Sequence, residues 1–260
     1  MATLVTFHAH PDDECIVCGG VMRKAFEDGH RVVLVVATRG EHGEVPDGFL
    51  AEGEPLWRRR VRETHAAAEI LGVARVEFLG YVDSGMMGEP TNDAPGSFWT
   101  APVEEAAEKL AAILREEDAE VLTCYDDYGN YGHPDHIQVH RVGMRAAELA
   151  GTPRVFQATT SQEHMRAGMV ALAEATPGFP VPSEEDMAGM GKSEAEITTA
   201  VDVTPWLDHK RRAMRAHPSQ ISEDSFFLAM PDEAFRYAFG TEWFIRSGQE
   251  PGVRTDDLFK

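Results

Sequence analysis

Along the first half of the chain, short apolar runs alternate with longer stretches whose apolar residues recur at helical spacing. Thr3–Phe7 is too short for a helix and reads as a buried strand that Pro11 stops. Asp12, Asp13 and Glu14 then place negative charge where a helix N-terminus favours it, and Gly19-Gly20 falls inside the helix-like segment that follows. Arg31–Thr38 is β-branched and continuous, the pattern of a parallel strand covered on both faces, and it ends in a loop, Arg39-Gly40-Glu41-His42-Gly43. Pro55–Leu71 reads as a helix with Leu56, Ala67, Ile70 and Leu71 as apolar positions and Gly72 as its stop. Val76–Leu79 is a third strand. Tyr81–Ser97, rich in Gly, Met and Pro, is a loop of a length usually tied to function or mobility. Val103–Arg115 reads as a helix and Glu120–Tyr125 as the fourth strand.

Farther on, a helix from His136 to about Ala150 precedes a strand-like Val155–Thr159 and a helical Gln162–Ala173. Residues 176–193, rich in Pro, Gly, Met and acidic side chains, read as a lid-like insertion or a flexible loop. Ile197–Val203 alternates as a strand does, Pro205–Ala216 is helical, and Glu242–Arg246 is a last strand. Strand–helix alternation predicts an α/β fold with a doubly wound, mostly parallel sheet. Residues 1–160 would form the core, and residues 161–260 a small C-terminal α+β annex that completes the pocket within the same domain. Such sheets bind ligands outside the carboxyl ends of their strands, where the strand order reverses.

Composition narrows the function classes. A chain of 260 residues that is 43% hydrophobic and 26% charged suits one large soluble domain. A net charge of −20 argues against nucleic acid, anionic membranes and polyanionic substrates, which need basic footprints. No run approaches the roughly 18 apolar residues of a membrane span, so no membrane insertion is expected. The first residues lack the basic and apolar regions of a signal peptide. Three cysteines make no disulfide framework, which points to a reducing cytoplasm. A homo-oligomer stays open.

The chemistry concentrates in two segments, His8-Ala9-His10-Pro11-Asp12-Asp13-Glu14 and Tyr131-Gly132-His133-Pro134-Asp135-His136. Each packs imidazoles and carboxylates around a proline, after a strand and before a helix. If the first and fourth strands are neighbours, the segments meet. Histidine nitrogen and aspartate oxygen are ligands that zinc accepts, and three of them leave a position for water. His10, Asp13 and His136 are the expected ligands, and ferrous iron could use the same set. Asp12 is the expected general base for the acidified water. His133, oriented by Asp135, would protonate the leaving group or support the oxyanion, and Tyr131 would donate to that oxyanion.

These motifs resemble the LmbE-like (PIG-L) zinc-dependent N-deacetylases, which have a Rossmann-like sheet and remove acetyl groups from N-acetylglucosamine-containing substrates. By that resemblance the zinc ligands fall on His10, Asp13 and His136, the general base on Asp12, the charged catalytic histidine on His133, its partner on Asp135 and a mobile tyrosine on Tyr131. Arg60-x-x-Glu63 before Ile70-Leu71-Gly72-Val73 is similar to the family's helix pattern, and Thr123–His136 and Asp83-Ser84-Gly85-Met86 are similar to its mycothiol branch. The likeness implies that Glu41, Arg60 and Asp83 contact sugar or inositol hydroxyls. Val17 stands where that branch has a polar residue. The activity so implied is removal of acetate from an amino-sugar substrate, the alternative being an amidase that cleaves a larger acyl group from a mycothiol-like S-conjugate.

Other features carry plainer expectations. A non-catalytic nucleotide-binding protein needs a Gly-rich turn directly after the first strand, and Gly19-Gly20 comes too late. Cys15-x-x-Cys18 reads as helix packing in preference to a redox pair. His140 is expected behind the ligands or at the surface, His8 beneath the loop, and His217 as structural or as shaping the pocket. The basic group from Lys210 to Arg215 reads as a solvated helix face.

Overall fold

The computed structural model describes residues 1–175, 189–252 and 255–260. Strands Thr3–His8 (β1), Arg31–Val36 (β2), Arg75–Phe78 (β3), Val121–Tyr125 (β4), Arg154–Thr159 (β5), Thr199–Asp202 (β6) and Thr241–Arg246 (β7) join in a 7-stranded sheet of order β3-β2-β1-β4-β5-β7-β6. The first five are mutually parallel, and β7 runs antiparallel to both β5 and β6. Among the described residues the α-helices are Asp13–Val17 (α1), Gly19–Glu27 (α2), Leu56–Leu71 (α3), Val103–Glu116 (α4), Gly129–Gly132 (α5), Pro134–Ala150 (α6), Gln162–Ala175 (α7), Leu207–Arg215 (α8) and Asp232–Phe239 (α9). They cover the sheet on both sides, so the fold is the expected α/β one.

The valines of β2 are buried on both faces, as its unbroken apolar run requires. From β1 the sheet grows through β2 to β3 on one side and through β4 to β5 on the other. The strand order therefore reverses between β1 and β4, which opens a crevice outside their carboxyl ends. Both histidine segments leave the sheet there.

Three features of the annex correct or extend the sequence reading. Lys210, placed on a solvated face by its basic neighbours, is 1% exposed and donates to Glu242 Oε1 at 2.5 Å. The same Glu242 carboxylate accepts from the backbone N–H groups of Gly20 and Val21 at 2.7 and 2.8 Å, so an acidic side chain of β7 fills the N-terminus of α2. That helix end is thereby closed to a phosphate, which removes the nucleotide-binding reading from it. The glycine pair serves packing: a Cβ on Gly20 would lie 2.4 Å from Val203 Cβ. Helix α9, whose Phe235 is buried, lies in a stretch to which the sequence reading assigned no element. Of the segment expected as a lid or flexible loop, residues 176–188 lie outside the described residues. Its end is seated, with the Gly191 N–H donating to Asn130 O at 3.2 Å. Among the described residues no helix is long and apolar enough to cross a membrane.

Candidate metal centre and catalytic site

The first segment makes a tight turn off β1. The His10 N–H donates to Asp13 Oδ2 at 2.9 Å, which folds the chain back at Pro11. Asp12, inside that turn, has φ 99°, a region that residues with a Cβ rarely occupy. Its carbonyl accepts from Cys15 N and Ile16 N at 3.1 and 3.3 Å and so starts α1. Cys15 and Cys18, expected to pack, are free and buried, as is Cys124, and burial raises the pKa of each.

The second segment is shaped by residues that tolerate positive φ. Gly129, Asn130 and Gly132 have φ of 65°, 65° and 89°, so the chain turns sharply twice and presents Tyr131 to solvent. His133 is the N-cap of α6, its Nδ1 accepting from Asp135 N at 3.1 Å, and Pro134 takes the first helical position. His136 is buried one turn in, its ring 4.7 Å from that of Tyr125. His140 Nδ1 donates to Tyr125 O at 3.0 Å at the back of this wall, and His8 Nδ1 meets Tyr125 Oη at 2.9 Å beneath the loop.

The crevice brings the two segments together. Asp13 Oδ2 lies 3.5 Å from His10 Nδ1 and 3.3 Å from His136 Nε2. Ligands about 2.0–2.1 Å from a zinc ion stand roughly 3.3 Å apart in a tetrahedron, so each of the two nitrogens stands from the Asp13 oxygen at about the separation of paired ligands. Both nitrogens of the buried His136 ring lack a hydrogen-bond partner, which a metal bond at Nε2 would relieve. Ring nitrogens of His10, His133 and His136 also lie within 4.8 Å of one another. Imidazoles and carboxylates in this arrangement fit a divalent cation.

The electrostatics follow from crowding in a dry place. Burial works to lower the His10 pKa, but Asp83, Asp13 and Asp135 outweigh it and hold the value well above the usual 6.5. Burial works to raise Asp13, and His136 and His10 outweigh it in the other direction. Asp12 is lifted to about 6 by burial, the Arg60 guanidinium opposing and Asp13 adding to the rise. Tyr131 is part exposed at the rim, yet desolvation of its phenol on the crevice side and then Asp13 push it up, so it stays a donor.

His133 and Asp135 depart from the pair implied by the family resemblance. Burial, with His10 and His136 beside it, lowers His133 to about 4, so the ring is neutral near pH 7 instead of charged. Because Nδ1 accepts from a backbone N–H, the proton of that neutral ring sits on Nε2. The Asp135 carboxylate is turned away from it. Its Oδ2 faces His10 Nε2 at 3.1 Å and accepts from Ser84 N at 2.9 Å, while Oδ1 accepts from Ser84 Oγ. The N-cap geometry causes this, since it spends His133 Nδ1 on the helix backbone and leaves the side chain of Asp135 on the β1 side.

A model of the family described as PIG-L: GlcNAc-PI de-N-acetylase matches residues 5–147, a stretch from β1 into α6 that contains both histidine segments. The chain belongs to the PIG-L family. It is 43% identical to a 1D-myo-inositol 2-acetamido-2-deoxy-alpha-D-glucopyranoside deacetylase 1 of Catenulispora acidiphila, over 97% of this chain and 87% of that one. The deacetylase of the same description from Streptomyces avermitilis is 40% identical, over 99% and 96%. Among solved structures, the N,N'-diacetylchitobiose deacetylase of Pyrococcus horikoshii shares the fold with a TM-score of 0.57 at 22% identity, over 94% of this chain and 83% of that one.

In this PIG-L chain the three residues expected at substrate hydroxyls line the crevice but are already engaged. Arg60 Nη1 donates to Gly40 O at 2.9 Å and Nη2 to Pro11 O at 2.6 Å and Asp12 Oδ2 at 3.3 Å; only its Nε lacks a partner. Glu41 accepts from Arg39 Nε at 3.0 Å and from Asp83 N at 3.1 Å. Asp83 accepts from Gly85 N and His42 N at 2.9 and 3.2 Å and faces His10 Nε2 at 3.4 Å. Ser84 and Glu14 were missed as site residues. Ser84 had a signal, its place in the Asp83-Ser84-Gly85 motif, whereas Glu14 passed for a helix-start charge.

Proposed function

We propose that this PIG-L protein is a zinc-dependent hydrolase that removes the acetyl group from an N-acetylglucosamine unit, with inositol-linked N-acetylglucosamine as the favoured substrate. One observation carries the metal chemistry: the Asp13 oxygen flanked by two imidazole nitrogens, with the Asp12 carboxylate next along the chain. Relatives at 43% and 40% identity over nearly the whole chain support the substrate class. His10, Asp13 and His136 would hold the ion; zinc is the proposed metal, and ferrous iron suits the same donors. When bound, a divalent ion acidifies water and polarises the acetyl carbonyl.

The chain's own groups supply the rest. Asp12 accepts the proton of the attacking water, a role for which a carboxylate near the working pH is suited. The Tyr131 phenol donates to the carbonyl oxygen as charge builds there. His133, neutral with its proton on Nε2, hydrogen-bonds the departing nitrogen, and the proton that Asp12 took from water passes to that nitrogen as the C–N bond breaks, giving the free amine and acetic acid. Arg60 keeps the Asp12 carboxylate in place, and with Glu41 and Asp83 it forms the side of the crevice that takes the hydroxyls of the substrate. Residues 161–260 act within the same domain as residues 1–160. Three buried free thiols accord with a cytoplasmic setting.

The test is metal analysis of the purified protein together with acetate release from inositol-linked N-acetylglucosamine, free N-acetylglucosamine and a bulky cysteinyl conjugate. Chelation should abolish release and added zinc restore it. Release that persists in full after chelation, or none from any acetylated sugar, overturns the proposal.

A further inference from the structure

Asp12 holds a backbone conformation that its type disfavours, and such strain persists only where the surroundings over-determine it. Two clamps do so. Arg60 Nη2 on α3 donates to Pro11 O and Asp12 Oδ2. On the other side, the Asp12 N–H donates to Glu14 Oε2 at 2.9 Å. Glu14 is fully buried, and its other oxygen meets His217 Nε2 at 2.6 Å, a contact across 203 residues of sequence. His217 is as buried as Glu14. The four residues His217-Pro218-Ser219-Gln220 also brace the first clamp. Ser219 donates through N and Oγ to Glu63, one turn from Arg60, at 3.2 and 2.5 Å. Gln220 Nε2 donates to Glu44 O at 3.0 Å, at the end of the loop that carries Gly40.

We propose that His217 is a positioning residue for the reaction, fixing the peptide of Asp12 through Glu14. This rests on Asp12 being the general base. With Nε2 donating, His217 aligns the Glu14 carboxylate so that its second oxygen points at the Asp12 N–H. Without that donor the buried carboxylate turns or draws in water, and the Asp12 side chain leaves its place between Arg60 and the ligand set. His217 touches neither the ligands nor the substrate, so its loss acts on the chemical step. Misplacing a catalytic group by about 1 Å costs on the order of 100-fold in rate.

The experiment compares zinc-loaded wild type with His217→Leu, which fills the space without a donor, and His217→Gln, which keeps one. It reads kcat, KM and zinc per chain on the acetylated sugar that the wild type hydrolyses best. The leucine variant should lose ~10- to 100-fold in kcat, with KM within about threefold and zinc unchanged, and the glutamine variant should recover most of it. Equal kcat in the two variants overturns the proposal, as does zinc lost in proportion to activity. Should the leucine variant not fold, His217→Asn, whose amide is too short to reach Glu14, takes its place, and wild-type kcat there overturns the proposal. A wild type that releases no acetate refutes the deacetylase reading instead.

Discussion

His10 Nε2 stands 3.1 Å from Asp135 Oδ2 across 125 residues of sequence, while Nδ1 of the same ring faces Asp13 Oδ2 at 3.5 Å. One imidazole thus joins the two histidine segments. A proton on Nε2 pinned by Asp135 leaves Nδ1 free as a ligand, the arrangement that fixes both tautomer and orientation in histidine–metal sites.

Asp135→Asn should therefore weaken metal binding by ~10- to 100-fold. Competition with a chromophoric chelator measures this directly. If metal affinity holds and kcat alone falls, the carboxylate serves His133 after all, as the family resemblance implied.

The sheet, the crevice and the two histidine segments were legible because each rests on a local signal: β-branched runs, a proline after an imidazole, and strand–helix alternation. The partner of Asp135 was not. Spacing within His133-Pro134-Asp135 suggests an imidazole–carboxylate pair, but the N-cap bond of His133 is a three-dimensional constraint that rotates the two side chains apart. Lys210 misled for the opposite reason. Its basic neighbours mark a solvated face, and only the arrival of Glu242 from β7 makes its burial affordable. Glu14 and His217 show the same limit, since neither segment names its distant partner.

The pair Lys210–Glu242 lies under the N-terminus of α2, with both side chains almost wholly buried. Breaking a buried ion pair by removing one member costs about 3–5 kcal/mol. Lys210→Met should fall at the low end, because Glu242 keeps two backbone donors. Urea unfolding checks it, and a loss below about 1 kcal/mol would mean that the pair is not intact in solution.

Gly20→Ala separates packing from propensity. Helix propensity alone would make alanine better by up to about 1 kcal/mol. The approach of Val203 Cβ to 2.4 Å of the new methyl reverses the sign, with an expected loss of about 1–3 kcal/mol. Val203→Ala made in the Gly20→Ala background should recover part of that loss. Recovery in the melting temperature of the double variant, relative to Gly20→Ala, is the measurement; no recovery shows that the two Val203 methyls, at 2.6 and 2.7 Å, do not carry the strain.

Asp12→Asn should abolish turnover and leave zinc bound, since Asp12 lies outside the proposed ligand set; loss of zinc, by metal analysis, would make it a ligand. The same substitution has a consequence for the metal-free protein. Burial raises Asp12 from 3.8 to about 6, Arg60 only partly opposing it. Between those values the folded state holds a proton that the unfolded state has released, so stability contributed by this site falls as pH rises, and the cost is complete above about 6. The asparagine has no charge to bury. The metal-free variant should equal the wild type near pH 4 and exceed it by about 1–3 kcal/mol at pH 7, as chemical unfolding at the two values would report. A constant difference across that range would show that Asp12 ionises in the folded protein as easily as in the unfolded chain, and would remove the reason for assigning it the water proton.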